Sequence, residues 1–299
     1  MSRAPSRVGA LATAGLMAVT AVWGSTFFLI KDLVARMAVA DFLAVRFLVA
    51  AVAMLLLFHR SLLRLSGREW GQGIALGLVY GVAQLLQTTG LEHTSASISG
   101  FATGMYVVFT PLLGTVLLRQ RLPSVTWIAV LLSVGGLALL ALHGLSISYG
   151  VWLTLASAAL YGLHIVGLGA WSRPGSAFAL STVQMLMIAA VCLLATLPKG
   201  PVLPPDHGAW LAVVYMALIA GAGAMLVQTW AQAHLPPTRA AIVMTLEPVF
   251  AAGFAVAFGN DALTWRMLGG GALILAAMYL VELAPRSPAL KAEGLHHDV

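Results

Sequence analysis

The chain is built from long apolar runs separated by short polar breaks, and almost none of it alternates residue by residue. A helix crosses the hydrocarbon of a bilayer in about 20 apolar residues. That length predicts ten spans, at 8–30, 39–58, 71–91, 96–118, 125–143, 148–171, 176–197, 209–233, 238–259 and 265–283. The runs are too long for the strands of a closed barrel, so the spans are expected to be helices with their backbone bonds satisfied internally. The connections are too short to fold by themselves. The pattern predicts an all-α integral membrane protein.

Polar residues inside the runs recur at helical spacing, and on a helix in a bundle such a stripe faces water or another helix. The fourth span carries Ser95, Ser99, Thr103, Tyr106 and Thr110, and the sixth carries Thr154, Ser157, Tyr161 and His164. The third offers Tyr80, Gln84 and Gln87, the first Thr13, Thr20 and Trp23, the eighth Gln228 and Gln232, and the ninth Thr238 and Thr245. The second, fifth, seventh and tenth spans are nearly plain hydrocarbon apart from Arg46 and a few hydroxyls. The expectation is a central cavity enclosed by spans 1, 3, 4, 6, 8 and 9, with the other four outside it. A single hydroxyl is better explained by a bond to its own helix or to a neighbouring one, whereas five on one stripe shift the balance toward a wet face. A buried carboxamide needs more partners, which water supplies readily. Trp23, Tyr80, Tyr106 and Tyr161 lie deep enough to form an amphipathic wall, and Trp70, Trp127, Trp152, Trp171, Trp210 and Trp265 near span ends suit interfacial anchors.

The order of features repeats. His93 to Leu142 and His234 to Glu282 each begin with a histidine, enter a span of small residues, meet a proline (Pro111, Pro248) and end in a Gly-rich apolar segment. The echo extends back to Trp23-Gly24 and Tyr161-Gly162, with Arg46 matched by Gln184 and Gln87 by Gln228. The domains expected are a five-span repeat over 1–145, a second over 146–284 and a polar tail over 285–299. His93 lies 18 residues before Pro111 and His234 only 14 before Pro248, a difference close to one helical turn. An extra turn near Gly100 to Gly104 is the expectation.

Composition agrees, since 60% of the 299 residues are hydrophobic and 9% charged, more apolar surface than a water-soluble core of this length hides. The net charge of +6 does not point to nucleic acid, because the cations are scattered through short loops with no basic aromatic groove. Counted by alternate loops, Lys and Arg number eleven on one side (Arg3, Arg7, Arg60, Arg64, Arg68, Arg119, Arg121, Arg173, Arg239, Arg286, Lys291) and four on the other (Lys31, Arg36, Lys199, Arg266). The positive-inside rule then puts both termini in the cytoplasm of a cell inner (plasma) membrane protein. Five spans per half, an odd number, turn the second half upside down. Inverted halves let one fold open to either side in turn. The first apolar run, behind Arg3 and Arg7, continues to about Ile30 and carries half of the repeat, so it is expected to be a span and not a cleaved signal.

Three ionisable groups lie at depth, Arg46, His164 and Glu247, and an intramembrane charge is a functional candidate by default. Glu247 can hold a cation, take a proton or bond a neighbouring helix. His164 can titrate near neutral pH or simply pack, and Arg46 can snorkel, pair or meet substrate. Pro111 and Pro248 are expected to kink their spans. The lone Cys192 makes no intrachain disulfide, and no cofactor or metal set is legible. Without a Walker sequence, direct coupling to ATP is not expected from this chain.

Ala21-Val22-Trp23-Gly24-Ser25, Arg46-Phe47, Thr94-Ser95-Ala96-Ser97 and Glu247-Pro248-Val249-Phe250-Ala251-Ala252 resemble the EamA-type branch of the drug/metabolite transporter superfamily, and the resemblance covers nearly the whole chain. It implies a ten-helix exporter or exchanger of amino acids and related small metabolites, with the cavity between the halves. Asn260-Asp261 departs from the Gly-Glu usual there, and Arg119-Gln120-Arg121 is the first-half counterpart. The cavity residues expected are Trp23, Tyr80, Gln84, Gln87, Ser99, Thr103, Tyr106, Tyr161, His164, Gln228, Gln232 and Thr245, with Glu247 and Arg46 as coupling or structural charges. Partners expected are a small-molecule substrate and the bilayer. The alternatives are a receptor or scaffold that transports nothing, a channel, or an intramembrane hydrolase pairing Ser99 with His164, for which no elbow or oxyanion loop is present.

Overall fold

The computed structural model describes residues 7–118, 124–143, 146–173, 175–197, 200–235, 243–244 and 246–283. Thr245 and the tail after Leu283 lie outside the described residues. The helices are α1 (Arg7–Val34), α2 (Val39–Leu62), α3 (Gly67–Glu92), α4 (Ala96–Gly104), α5 (Tyr106–Leu118), α6 (Ser124–Ala141), α7 (Tyr149–Trp171), α8 (Ala177–Thr196) and α9 (His207–Ala217). A π-helical segment (Leu218–Gly223) joins α9 to α10 (Ala224–Gln232), and α11 (Glu247–Phe258) and α12 (Trp265–Leu283) follow. The described regular structure is otherwise one small antiparallel ladder between α6 and α7, with Leu142 opposite Ile147 and His143 opposite Ser146.

Seven described stretches are long and apolar enough to cross a bilayer: Arg7–Val34, Val39–Leu62, Gly67–Glu92, Ala96–Gly114, Tyr149–Trp171, Ala177–Thr196 and His207–Gln232. The predicted fifth, ninth and tenth spans fall on shorter apolar helices, Trp127–Leu139, Glu247–Phe258 and Trp265–Leu280. Outward-facing apolar side chains such as Leu56, Leu57 and Leu131 are more than two-thirds exposed, positions that lipid satisfies and water does not. The helix starts follow local chemistry. Ser66 caps α3 in a full capping box with Glu69, and Ser95, Ser148 and Asp206 each accept a backbone N–H at the start of α4, α7 and α9.

Pro111 lies within α5 and Pro248 in the first turn of α11. The fourth span is interrupted at Met105, where Met105 N bonds Ala102 O and Val108 N bonds Met105 O, and α5 then runs through Pro111 to Leu118. Pro248 sits in the first turn of α11, where its missing N–H is a group the helix would leave unpaired in any case. It opens α11.

The packing has a recurring form. α2 lies along α8, α6 along α12, and α4 against α11. α3 packs on α7 and α8, while the eighth span, from α9 through α10, packs on α1 and α2. α1 packs on α11, and α7 on α4 and α5. One apolar core joins Phe42, Phe47 and Met54 of α2 to Met185 and Ile188 of α8 and to Met216 of α9. A second gathers Met105, Tyr106, Tyr161 and Met278.

One end of the bundle is tied by polar contacts. Lys31 Nζ donates to Leu91 O and Glu92 O at 2.9 Å, Arg36 pairs with Asp32 and Asp206 at 2.7 Å, and Asp261 Oδ2 accepts from Ser97 N at 2.9 Å. Asn260 adopts a positive φ of 59°, the conformation a glycine takes at no steric cost, so the departure at Asn260-Asp261 keeps the turn. Asp261 then places a carboxylate at the N-terminus of α4, where the helix dipole favours it. The other end carries Arg64, Glu69, Arg173 and Ser176 around an open cleft.

Candidate functional site

A cavity of about 50 Å³ lies within the bundle, walled by α1, α2, α3, α4, α5, α7, α10 and the start of α11. That is room for a few waters and not for a metabolite, so any larger guest needs the walls to part. Several of the polar atoms facing it are fixed by bonds that cross between helices.

α1 contributes Trp23, whose Nε1 donates to Ala220 O at 2.9 Å. Arg46 of α2, 3% exposed, donates from Nε to Met216 O at 3.3 Å. Both acceptors belong to the stretch where α9 passes into the π segment, and irregular helix of this kind recurs at functional sites. The guanidinium of Arg46 rests on Phe47 with 4.9 Å between Cζ and the ring centre and 5.9 Å to Phe42. Its Nη1 is buried without a hydrogen-bond partner among the described residues.

α3, α4 and α7 meet in a relay. Tyr161 OH donates to Gln87 Oε1 at 2.9 Å, and Gln87 Nε2 donates to Thr103 Oγ1 at 3.0 Å. The Tyr80 ring stands edge-on to Tyr161 at 5.2 Å and to His164 at 5.0 Å. His164 Nε2 lies 2.8 Å from Gln184 Oε1, and because a carboxamide oxygen only accepts, this nitrogen carries the proton. Gln184 in turn donates to Leu180 O on its own helix. On the remaining wall the Tyr106 hydroxyl lies 2.9 Å from Glu247 Oε2 and 3.0 Å from Met244 O. Glu247, 5% exposed, is the one acid among the described cavity residues.

Of the residues expected at the cavity, Trp23, Arg46, Tyr80, Gln84, Gln87, Thr103, Tyr106, Tyr161, His164, Gln228 and Glu247 face it. Ser99 is fully buried elsewhere, Gln232 contacts Met244 Sδ at 3.9 Å outside the lining, and Thr245 lies outside the described residues. The hydroxyl stripes mostly satisfy their own helices. Thr13 bonds Gly9 O, Thr20 bonds Met17 O, Thr110 bonds Tyr106 O, Thr154 bonds Gly150 O and Ser157 bonds Thr154 O. The second span, placed outside by its apolar sequence, enters the wall through Arg46. Thr26, Phe27 and Ile30 on α1 and Thr88 and Leu91 on α3 were not anticipated. They sit three, four or seven residues from Trp23, Gln84 or Gln87, so helical spacing was the signal that could have found them. Ser99 and His164 form no pair: the imidazole is engaged by Gln184, and the serine is outside the cavity.

Helices that expose apolar faces outward and collect amides, phenols, one cation and one acid around an internal chamber define a multi-pass membrane protein with a polar central cavity. The chain belongs to the EamA-like transporter family, which matches it twice, over residues 11–142 and 148–283. It is a membrane transporter by that membership. An uncharacterized transporter of Archaeoglobus fulgidus is 29% identical over 272 residues, covering 90% of this chain and 85% of that one. A WAT1-related protein of Arabidopsis thaliana is 26% identical over 227 residues, covering 69% of this chain and 66% of that protein. A crystal structure with 18% identity superposes with a TM-score of 0.67 over 91% of this chain and 96% of its own, a likeness of fold alone.

Proposed function

We propose that this protein is a secondary transporter that moves small amphipathic metabolites, amino acids foremost, outward or in exchange, by alternating access. The observation that carries the reading is the cavity at the meeting of the two halves, where several polar side chains tie one helix to another and others are left without a partner among the described residues. In the proposed architecture ten spans form two inverted repeats, 1–145 and 146–284, followed by a polar tail, 285–299, in a cell inner membrane with both termini cytoplasmic.

The helix contacts support that architecture, because exchanging each span for the one five places along reproduces them. Spans 2 and 7, 4 and 9, and 5 and 10 pack on each other, and spans 3 on 6 and 7 mirror spans 8 on 1 and 2. The close approaches agree. A Cβ on Gly24 would meet Phe250 and Ala251, and one on Gly162 would meet Phe109 and Thr110. Phe109 and Phe250 are each 16 residues past His93 and His234. In that register the two stretches are equal in length, and the reading needs no extra turn near Gly100. The prolines are merely placed differently, and Tyr106 becomes the counterpart of Glu247, with which it shares a hydrogen bond.

Glu247 and Arg46 are the charges available for coupling or substrate contact, and no cofactor enters the reading. Counterflow in proteoliposomes tests it: a loaded amino acid should accelerate saturable entry of labelled amino acid. Flux that rises linearly with concentration and shows no counterflow would refute alternating access, and an absence of flux for any metabolite would favour the receptor reading.

A further inference from the structure

Arg46 and Glu247 face one cavity without forming an ion pair. The ion pairs among the described residues are those of Arg36 with Asp32 and Asp206, at the end of the bundle. Isolated buried charges are costly, and each is tolerated only where something complements it. The protein uses one edge of the Arg46 guanidinium, through Nε to Met216 O and through the stacked face on Phe47, and leaves Nη1 buried and unengaged. Three acceptors in the same lining are also unengaged among the described residues, the Thr88 hydroxyl and two carboxamide oxygens. Gln84 Oε1 and Gln228 Oε1 are buried with no partner among the described residues, on side chains 6% and 2% exposed.

Resting on the transport reading, we propose that the substrate is a zwitterion held at two points, its carboxylate on the free edge of Arg46 and its ammonium among Glu247, Gln84 Oε1 and Gln228 Oε1. Such a guest satisfies the unengaged donor and the two carboxamide oxygens together. A pure anion leaves Glu247 and both amide oxygens unmatched, and a pure cation leaves Arg46 unmatched. The rest of the lining, including Phe27, Ile30, Leu91 and Ile165, is apolar, so the side chain that fits between the two charged ends is apolar too. Discrimination of this kind is strong because a guest lacking one charged end strands a desolvated partner.

The test uses the full-length protein in proteoliposomes, with labelled leucine counterflow competed by leucine, its methyl ester, which lacks the carboxylate, and N-acetylleucine, which lacks the ammonium. In the wild type each analogue should compete at least about tenfold more weakly than leucine, the ratio of roughly one charge-assisted hydrogen bond. In Arg46→Gln the advantage of leucine over the ester should vanish while its advantage over N-acetylleucine remains. Glu247→Gln should show the reverse. Arg46→Lys should keep the preference for the free acid at weaker affinity, which a purely structural role would not produce. An ester as potent as leucine on the wild type, or equal losses for both in Arg46→Gln, would overturn the inference, and the wild-type panel decides alone if a variant does not fold. Saturable transport of some other solute with no zwitterion preference overturns the inference and leaves the transport reading standing. Absence of flux for every solute overturns both.

Discussion

Replacing Gly24 with alanine puts a methyl group into the close crossing of α1 and α11. An ideal Cβ there lies 2.5 Å from Phe250 Cβ and 2.8 Å from Ala251 N. Carbon atoms pack comfortably at about 3.5–4.0 Å, so α1 and α11 have to separate by roughly 1 Å. Both contacts are to a Cβ and to backbone, which cannot rotate away. Overpacking of this severity costs about 1–3 kcal/mol. Charged only to the conformer in which α1 and α11 touch, that cost multiplies the population parted at the Lys31 end by roughly 5 to 150. At Gly162 the corresponding contacts are 3.1 Å to Thr110 N and 3.2 Å to Phe109 Cβ, which ask for a few tenths of an ångström. The same substitution there should shift the balance far less. Cys192, the chain's lone cysteine, is fully buried, so a reporter at Thr26→Cys on the cavity wall has little background. With a membrane-impermeant maleimide, Gly24→Ala should raise the labelling rate from the Lys31 face at least fivefold over the reporter alone. A loss of thermal stability with no change in labelling would refute the reasoning, since it would mean the crossing is strained in every conformer.

Other substitutions probe separate parts of the structure. Tyr161→Phe removes the donor to Gln87 Oε1 and should raise the apparent KM several-fold, with a stability loss of about 1 kcal/mol or less by thermal denaturation in detergent. Tyr106→Phe strips a hydrogen bond from the buried Glu247 carboxyl and should cost about 1.5–3 kcal/mol, read as a lowered Tm. An unchanged Tm would place that carboxyl in water. Asp261→Ala removes the carboxylate at the start of α4 and should cost about 1 kcal/mol, while Asp261→Asn, which keeps an acceptor for Ser97 N, should cost a few tenths. Lys31→Met frees the carbonyls of Leu91 and Glu92 and should increase labelling of the Thr26→Cys reporter from the same face without altering that from the other.

The membrane class, the helical spans and most of the cavity wall were legible in the sequence. Run length alone separates a helix in lipid from a strand or a soluble helix, and Trp23, Gln87, Tyr161 and Glu247 stand out because polar groups in apolar runs are costly enough to be rare. The hydroxyl stripes misled because serine and threonine can satisfy themselves on the preceding turn, as Thr154 and Ser157 do, so their spacing carries little about direction. Carboxamides and phenols cannot do so as readily, and they are the groups that reach across between helices.

Arg46 shows most clearly what depended on three dimensions. Its span reads as hydrocarbon, and its meaning comes from Met216 O, 170 residues away, and from Phe47 beneath it. The pairing of Tyr106 with Glu247 and the relay from Tyr161 through Gln87 to Thr103 also join residues from different helices. Periodicity reports which face of a helix a residue occupies, and it says nothing of which neighbour that face meets. Local sequence therefore determined which runs are apolar helices and where polar groups interrupt them. Only packing decided which atoms bond across the chamber and which are left for a guest, because that depends on crossing distances set by pairs such as Gly24 and Phe250, far apart along the chain.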